Sequence, residues 1–190
     1  MNIVIFGPPG AGKGTQSKSI ANKYNLYPLS TGELLRKEIK DNTKLGSEIS
    51  LIINSGDLVS DDIVSNLIGK FISDDSYRNR IIFDGYPRNL NQAINLDNLL
   101  KKDNQKIDIV LKLSVSLEII KKRILDRQSQ ENRADDSKEV AIKRFKNYEN
   151  SIEPVINYYK SSNLLKVVNG ERSINQISAE ISGLIDSIKG

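Results

Sequence analysis

The sequence contains no cysteine and no histidine. Without cysteine there are no disulfides, no thiolate nucleophile and no Cys-based zinc site, so no structural zinc is expected. Without histidine the commonest general base is missing, together with His-ligated metals and Ser-His-Asp catalysis. Any catalysis must run on Asp, Glu, Lys, Arg, backbone amides or a carboxylate-bound ion. Aromatics are only 6% and scattered, which argues against the basic stripe with interleaved aromatics of a nucleic-acid-binding module. No apolar run approaches the roughly 18 residues of a membrane span. The opening MNIVIFG lacks the basic region and cleavage site of a secretory leader. The expectation is a cytoplasmic protein with no nucleic-acid or membrane partner, and nothing suggests an obligate interface, so a monomer.

What is present suits one compact domain: 190 residues, 38% hydrophobic and 27% charged, enough for a sizeable core. The 28 basic residues exceed the 24 acidic ones by a net charge of +4. That mild excess fits an enzyme gripping phosphorylated small molecules with arginine as well as it fits nucleic acid. Short apolar or β-branched runs predict strands at Ile3–Gly7, Tyr27–Leu29, Arg80–Asp84, Ile107–Leu113 and Leu164–Val168. Helical patterns fall at Gly12–Tyr24, Gly32–Asp41, Leu45–Asn54, Asp61–Phe71, Asn91–Lys101, Val115–Arg127, Lys138–Tyr159 and Ile174–Ile188. Strands alternating with helices predict an α/β fold of three layers, a five-stranded parallel sheet covered on both faces. Two stretches interrupt the alternation, the helical segment 30–59 and the polar segment QSQENRADDS at 128–137, which breaks two helices apart. Both read as inserts at the C-terminal edge of the sheet, where open α/β folds bind ligands, although the second taken alone reads as a solvated loop.

Three motifs carry chemistry. GPPGAGKGT, Gly7 to Thr15, follows a strand and opens a helix, and it matches G-x-x-x-x-G-K through Gly7, Gly12 and Lys13. Glycines let the backbone approach phosphate oxygens, the helix N-terminus supplies positive field, and Lys13 adds a mobile charge for the β- and γ-phosphates. The residue after Lys13 is Gly14, where the common pattern has Ser or Thr, so direct Mg²⁺ ligation at that position is in doubt. RIIFDGYPRNLNQA, Arg80 to Ala93, delivers Asp84 at a strand end near where a nucleotide's Mg²⁺ would sit, followed by Arg88 as a two-pronged phosphate grip. LSTGELLRKEI, Leu29 to Ile39, offers Thr31 as an N-cap with Gly32 opening the helix, and Arg36 further along it. Arg123 and Arg127 share a helix face, with Arg133 in the polar loop and Arg144 on the next helix. A polyphosphate between them explains the cluster; a solvated face is the alternative.

With these residues in view, the chain resembles the adenylate kinases of the nucleoside monophosphate kinase family. The resemblance runs nearly end to end, on GPPGAGKGT (7–15), STGELLR (30–36), GDLV (56–59), FDGYPRNLNQ (83–92), RADD (133–136) and VNG (168–170). It implies a single phosphate-loop kinase domain, 1–190, with an NMP-binding insert at 30–59 and a short lid at 126–136. It implies that Gly10, Ala11, Gly12, Lys13, Gly14 and Thr15 wrap the ATP phosphates, with Arg127 nearby and the Arg172 carbonyl at the ATP adenine. For AMP it implies a site of Thr31, Arg36, Asp57, Leu58, Val59, Gly85, Tyr86, Pro87 and Arg88, with Gln92 hydrogen-bonding the adenine. Arg88, Arg123, Arg127, Arg133 and Arg144 would converge with Lys13 on the transferring phosphoryl group, and Asp135 would tie into the arginines. Members of the family hold Mg²⁺ largely through nucleotide oxygens and water, which gives Asp84 an indirect role and lets Gly14 stand without a replacement ligand. Asn132 stands where short-lid members usually have Gly, and Asn tolerates a left-handed backbone.

The implied reaction is reversible phosphoryl transfer from ATP to AMP, giving two ADP, which needs no histidine base. Gln92 and Thr31 match the adenylate version, whereas the similar uridylate-cytidylate kinases tend to carry Asn and Ala there. A phosphate-loop regulatory NTPase is the more distant alternative, and neither an N-K-x-D element nor Ser/Thr after Lys13 supports it.

Overall fold

The five apolar runs pair into one all-parallel sheet in the computed structural model, which describes residues 1–131 and 137–189. The strands β1 (Ile3–Phe6), β2 (Tyr27–Ser30), β3 (Ile81–Asp84), β4 (Ile109–Ser114) and β5 (Leu165–Asn169) lie in the order β2-β3-β1-β4-β5. In register, Val4 stands between Phe83 and Val110. The helices are α1 (Lys13–Tyr24), α2 (Thr31–Lys40), α3 (Lys44–Asn54), α4 (Asp61–Ile72), α5 (Leu90–Lys102), α6 (Leu117–Glu131), α7 (Lys138–Ser161) and α8 (Ile174–Lys189).

Strand alternation sorts the apolar residues into two cores. Val4, Phe6, Ile81, Phe83 and Val110 face a layer that includes Leu35 of α2, Ile49 of α3, Ile68 of α4, Leu96 of α5 and Val155 of α7. Ile3, Ile5, Ile82, Ile109 and Leu111 point the other way, onto Ile20 of α1 and Ile177, Ile181 and Ile185 of α8. Continuous apolar strands are what a sheet covered on both faces requires. Among the described residues, no helix is long and apolar enough to cross a membrane.

Element ends match the sequence expectation within two residues, except at α6. That helix runs on to Glu131, through a stretch expected to be loop. Gln, Ser, Gln and Glu contain no helix breaker, so polarity alone does not end the helix. A second correction concerns Thr31. Ser30 is the N-cap of α2, its hydroxyl accepting from the Glu33 N–H at 3.4 Å, and Thr31 is the first helical residue. Thr31 is thereby released to bond elsewhere.

Candidate active site

Because every strand is parallel, all the strand C-termini lie along one edge. The segments that follow β1, β2, β3 and β5 line a cavity of about 580 Å³ there. The segment after β1 is the glycine loop. Gly12 takes φ 93°, a left-handed conformation that favours glycine, and turns the chain into α1 at Lys13. The first turn of α1 holds no acidic residue and no side chain caps it, so its positive end faces the cavity, with the Asp84 carboxylate of β3 beside Gly14. Lys13 Nζ donates to the carbonyls of Gly7 (2.7 Å) and Pro8 (3.1 Å).

Asp84, at the end of β3, is almost buried. Desolvation raises its carboxyl, against the pull of the Lys13 ammonium. Lys13 is in turn lowered to about 8 by desolvation, opposed by Asp84 and reinforced by the cations Arg88, Arg144 and Arg127. Arg88 is lowered to about 10, first by desolvation and then by Arg144, with Asp84 opposing. One carboxylate thus sits among several cations, an arrangement that suits a polyanion bound between them. A Cβ built on Gly14 would lie 3.7 Å from Asp84 Oδ2, an ordinary contact. Packing within the chain therefore does not demand glycine at that position.

The turn after β3 is held from two sides. Gly85, at φ 78°, accepts at its carbonyl from Thr31 Oγ1 (3.0 Å) and from Arg88 Nε (2.8 Å). The hydroxyl freed by the Ser30 cap thus joins the start of α2 to the Arg88 turn. Gln92 borders the cavity, its Oε1 accepting from the Arg88 N–H at 2.7 Å and its Nε2 donating to Asp61 Oδ1 at 2.7 Å.

The segment 30–59 closes one side. Its tip rests on α7, where Lys143 pairs with Asp57 at 2.8 Å and Asn147 Nδ2 donates to the Gly56 carbonyl at 3.2 Å. On α7, Arg144, Tyr148, Ser151 and Ile152 follow helical spacing along one face and continue the cavity wall. On the other side Arg123 donates to the carbonyls of Ala11 (3.3 Å) and Gly170 (2.9 Å), binding the glycine loop to the end of β5. The Arg172 side chain is paired with Glu180.

Of the residues singled out from the sequence, the cavity brings together Gly10 to Thr15, Thr31, Arg36, Asp57, Leu58, Val59, Asp84, Gly85, Pro87, Arg88, Gln92, Arg123, Arg127, Arg144 and Arg172. Tyr86 is not among them. Its ring is fully buried in the first core and its hydroxyl lies 3.3 Å from Ser65 Oγ. Strict alternation from Ile81 and Phe83 would turn residue 86 to the other face; β3 ends at Asp84, and Gly85 at φ 78° breaks the alternation and returns Tyr86 to the side of Phe83. Arg133, Asp135 and Asn132 lie outside the described residues. Sequence reasoning missed Gln16, Asp61, Lys143 and Asn147. Gln16 is 2% exposed, donates to the Ile174 carbonyl at 3.2 Å and accepts from Ser178 Oγ at 2.7 Å. Its place directly after Thr15 was the one local signal; the partners of the others are distant in sequence.

The donor set fits a nucleotide-bound Mg²⁺. No cluster of three or more acidic residues able to hold a metal exists among the described residues. Of the acidic residues that line the cavity, Glu33, Asp57, Asp84 and Asp126, it is Asp84 that lies beside Gly14 of the glycine loop, which suits an ion that takes most of its ligands from phosphate and water.

A family model described as adenylate kinase matches residues 5–164. The adenylate kinase of Pelagibacter ubique (strain HTCC1062) is 41% identical over 211 aligned residues, covering 97% of this chain and 99% of that one. The adenylate kinase of Porphyromonas gingivalis (strain W83) is 39% identical over 189 residues, covering 100% and 97%. That of Azobacteroides pseudotrichonymphae is 40% identical over 188 residues, covering 99% and 98%.

Proposed function

This chain belongs to the adenylate kinase family, and from that premise we propose how its residues divide the work of moving the terminal phosphoryl group of ATP to AMP, giving two ADP. The observation that carries the proposal is that Lys13 on the glycine loop, Arg88 on the turn after β3 and Arg144 on α7 line one cavity. Groups expected for the donor and for the acceptor therefore act on the same volume.

In this reading, Gly10 to Thr15 and the N-terminus of α1 wrap the donor phosphates, and Lys13 leaves the Gly7 and Pro8 carbonyls to meet them. Arg172 lies at the donor's adenine. Arg36 and Arg88 grip the acceptor phosphate, with Thr31, Leu58, Val59 and Gln92 around its base. Arg123, Arg127, Arg144 and Arg133 neutralise the charge that spreads over the equatorial oxygens as an AMP phosphate oxygen attacks the γ-phosphorus in line. The bond to the β,γ-bridging oxygen breaks, and no general base is required. Asp84 would hold, through water, the Mg²⁺ brought with ATP, which when bound would supply further charge neutralisation. The segment 30–59, seated on α7, and the segment 126–136 exclude water as the competing acceptor. Because one chain lines both ends of the cavity, we read the enzyme as a monomer, working in the cytoplasm to balance adenine nucleotides.

The test is a coupled assay of phosphoryl transfer from ATP across AMP, UMP, CMP and GMP. Strong preference for AMP is expected. Equal or faster turnover of UMP or CMP would make the chain a pyrimidine nucleotide kinase. Hydrolysis of ATP that does not quicken on adding AMP would overturn the kinase reading.

A further inference from the structure

An amide side chain presents a donor at one end and an acceptor at the other, and turning it over reverses the pattern. A base-reading amide therefore discriminates only if something sets its polarity. In this chain the two ends of Gln92 meet groups of fixed sense. The Arg88 backbone N–H can only donate, and it holds Oε1 at 2.7 Å. The Asp61 carboxylate accepts, and its Oδ1 holds Nε2 at 2.7 Å. Gln92 is 2% exposed and borders the cavity.

The carboxylate is itself held in place. Asp61 is the first residue of α4 and Asn89 is the N-cap of α5. Asn89 Nδ2 donates to Asp61 Oδ1 (2.9 Å) and Oδ2 (3.1 Å), while Asn89 Oδ1 caps the Gln92 N–H at 2.9 Å. Asp61 thus gathers N–H donors from two side chains, and no neutral side chain of its size offers acceptors at both atoms.

We propose that Asp61 is a positioning residue for acceptor selectivity: by fixing Gln92 with Nε2 on one side and Oε1 on the other, it makes the site read adenine and reject the 6-oxo purines. The proposal rests on the reading that Gln92 meets the acceptor's adenine. The capacity left over on Gln92 is one Nε2–H and one Oε1 lone pair. That pair complements adenine, whose N1 accepts and whose 6-amino group donates. Hypoxanthine has the reverse pattern, an N1–H and a 6-oxo group, and pairs only with the inverted amide.

The experiment measures kcat/KM for AMP and for IMP in one preparation of each variant, so the folded fraction cancels in the ratio. Asp61→Ala is expected to lower the AMP-to-IMP ratio about 10-fold, the effect of one mis-set hydrogen bond, mostly through KM for AMP. Asp61→Asn keeps one acceptor oxygen and is expected to lie between Ala and the parent. Gln92→Leu should lower the ratio at least as far, and adding Asp61→Ala to it should change nothing more. Equal loss for AMP and IMP in Asp61→Ala would reduce Asp61 to a structural cap and overturn the proposal. If Gln92→Leu lowers the ratio and Asp61→Ala does not, Gln92 reads the base without help and the proposal fails alone. If Gln92→Leu leaves the ratio unchanged, the underlying reading of Gln92 fails and the proposal with it.

Discussion

Replacing Lys13 by Met separates a functional cation from a structural pin. The ammonium sits at about 8 in the free protein against an ordinary 10.5, a difference equivalent to roughly 3 kcal/mol against the charged form. Lys13 is partly exposed, so screening reduces the relief on removing its charge to about 1–2 kcal/mol. Against this, Met leaves the Gly7 and Pro8 carbonyls without a donor they now have, at about 1 kcal/mol each. The two effects nearly cancel, so Lys13→Met should unfold in urea within about 1 kcal/mol of the parent at pH 7. Its phosphoryl transfer, followed by a coupled ADP assay, should fall about 10²–10³-fold. The sign of the pH dependence adds a second readout. Between about 8 and 10.5 the unfolded chain keeps a proton that the folded Lys13 has released. The contribution of Lys13 therefore makes stability rise with pH across that window, and the rise should vanish in Lys13→Met. A loss of several kcal/mol in stability would identify Lys13 as a pin for the loop. Near-normal turnover would remove the phosphate-loop assignment itself.

Three further perturbations follow from the same structure. Arg88→Ala should raise KM for AMP about 30-fold or more, the effect of a charge-assisted phosphate contact, with ATP affinity little changed; equilibrium titration with each nucleotide checks this, and the opposite pattern would contradict the division of roles. Gly46→Ala should destabilise by about 1–3 kcal/mol, because a Cβ there would stand 2.1 Å from the Glu38 carbonyl oxygen where α3 crosses α2; an unchanged urea midpoint would show that these helices separate at little cost. ATP binding at pH 8 should take up as much as about half a proton as phosphate restores the charge of Lys13; calorimetry in buffers of differing ionisation enthalpy measures it, and Lys13→Gln should abolish it.

Much of this molecule is written locally. Ile3-Val4-Ile5-Phe6 is apolar at every position, which only a strand covered on both faces tolerates. Gly12 before Lys13, and Asp84 before Gly85, place chemistry at strand ends, because a strand-to-helix turn needs few residues and those residues face the sheet edge. The glycine loop, the Arg88 turn and the late arginines could therefore be named from the sequence by number. Polarity misled where it stood in for a breaker, as in the extension of α6 to Glu131. Position in a motif did not give direction at Tyr86, whose ring the turn at Gly85 sends into the first core.

Pairing across distance is set by the fold. Thr31 meets Gly85, Asp57 meets Lys143, and Asp61 meets Gln92. The members of each pair lie on elements whose separation and facing are set by how helices pack over a sheet. A sequence declares which residues can donate or accept, since that is a property of each side chain. Which donor an acceptor meets depends on the fold's geometry, and in this cavity two of those meetings hold the Arg88 turn and orient the amide beside it.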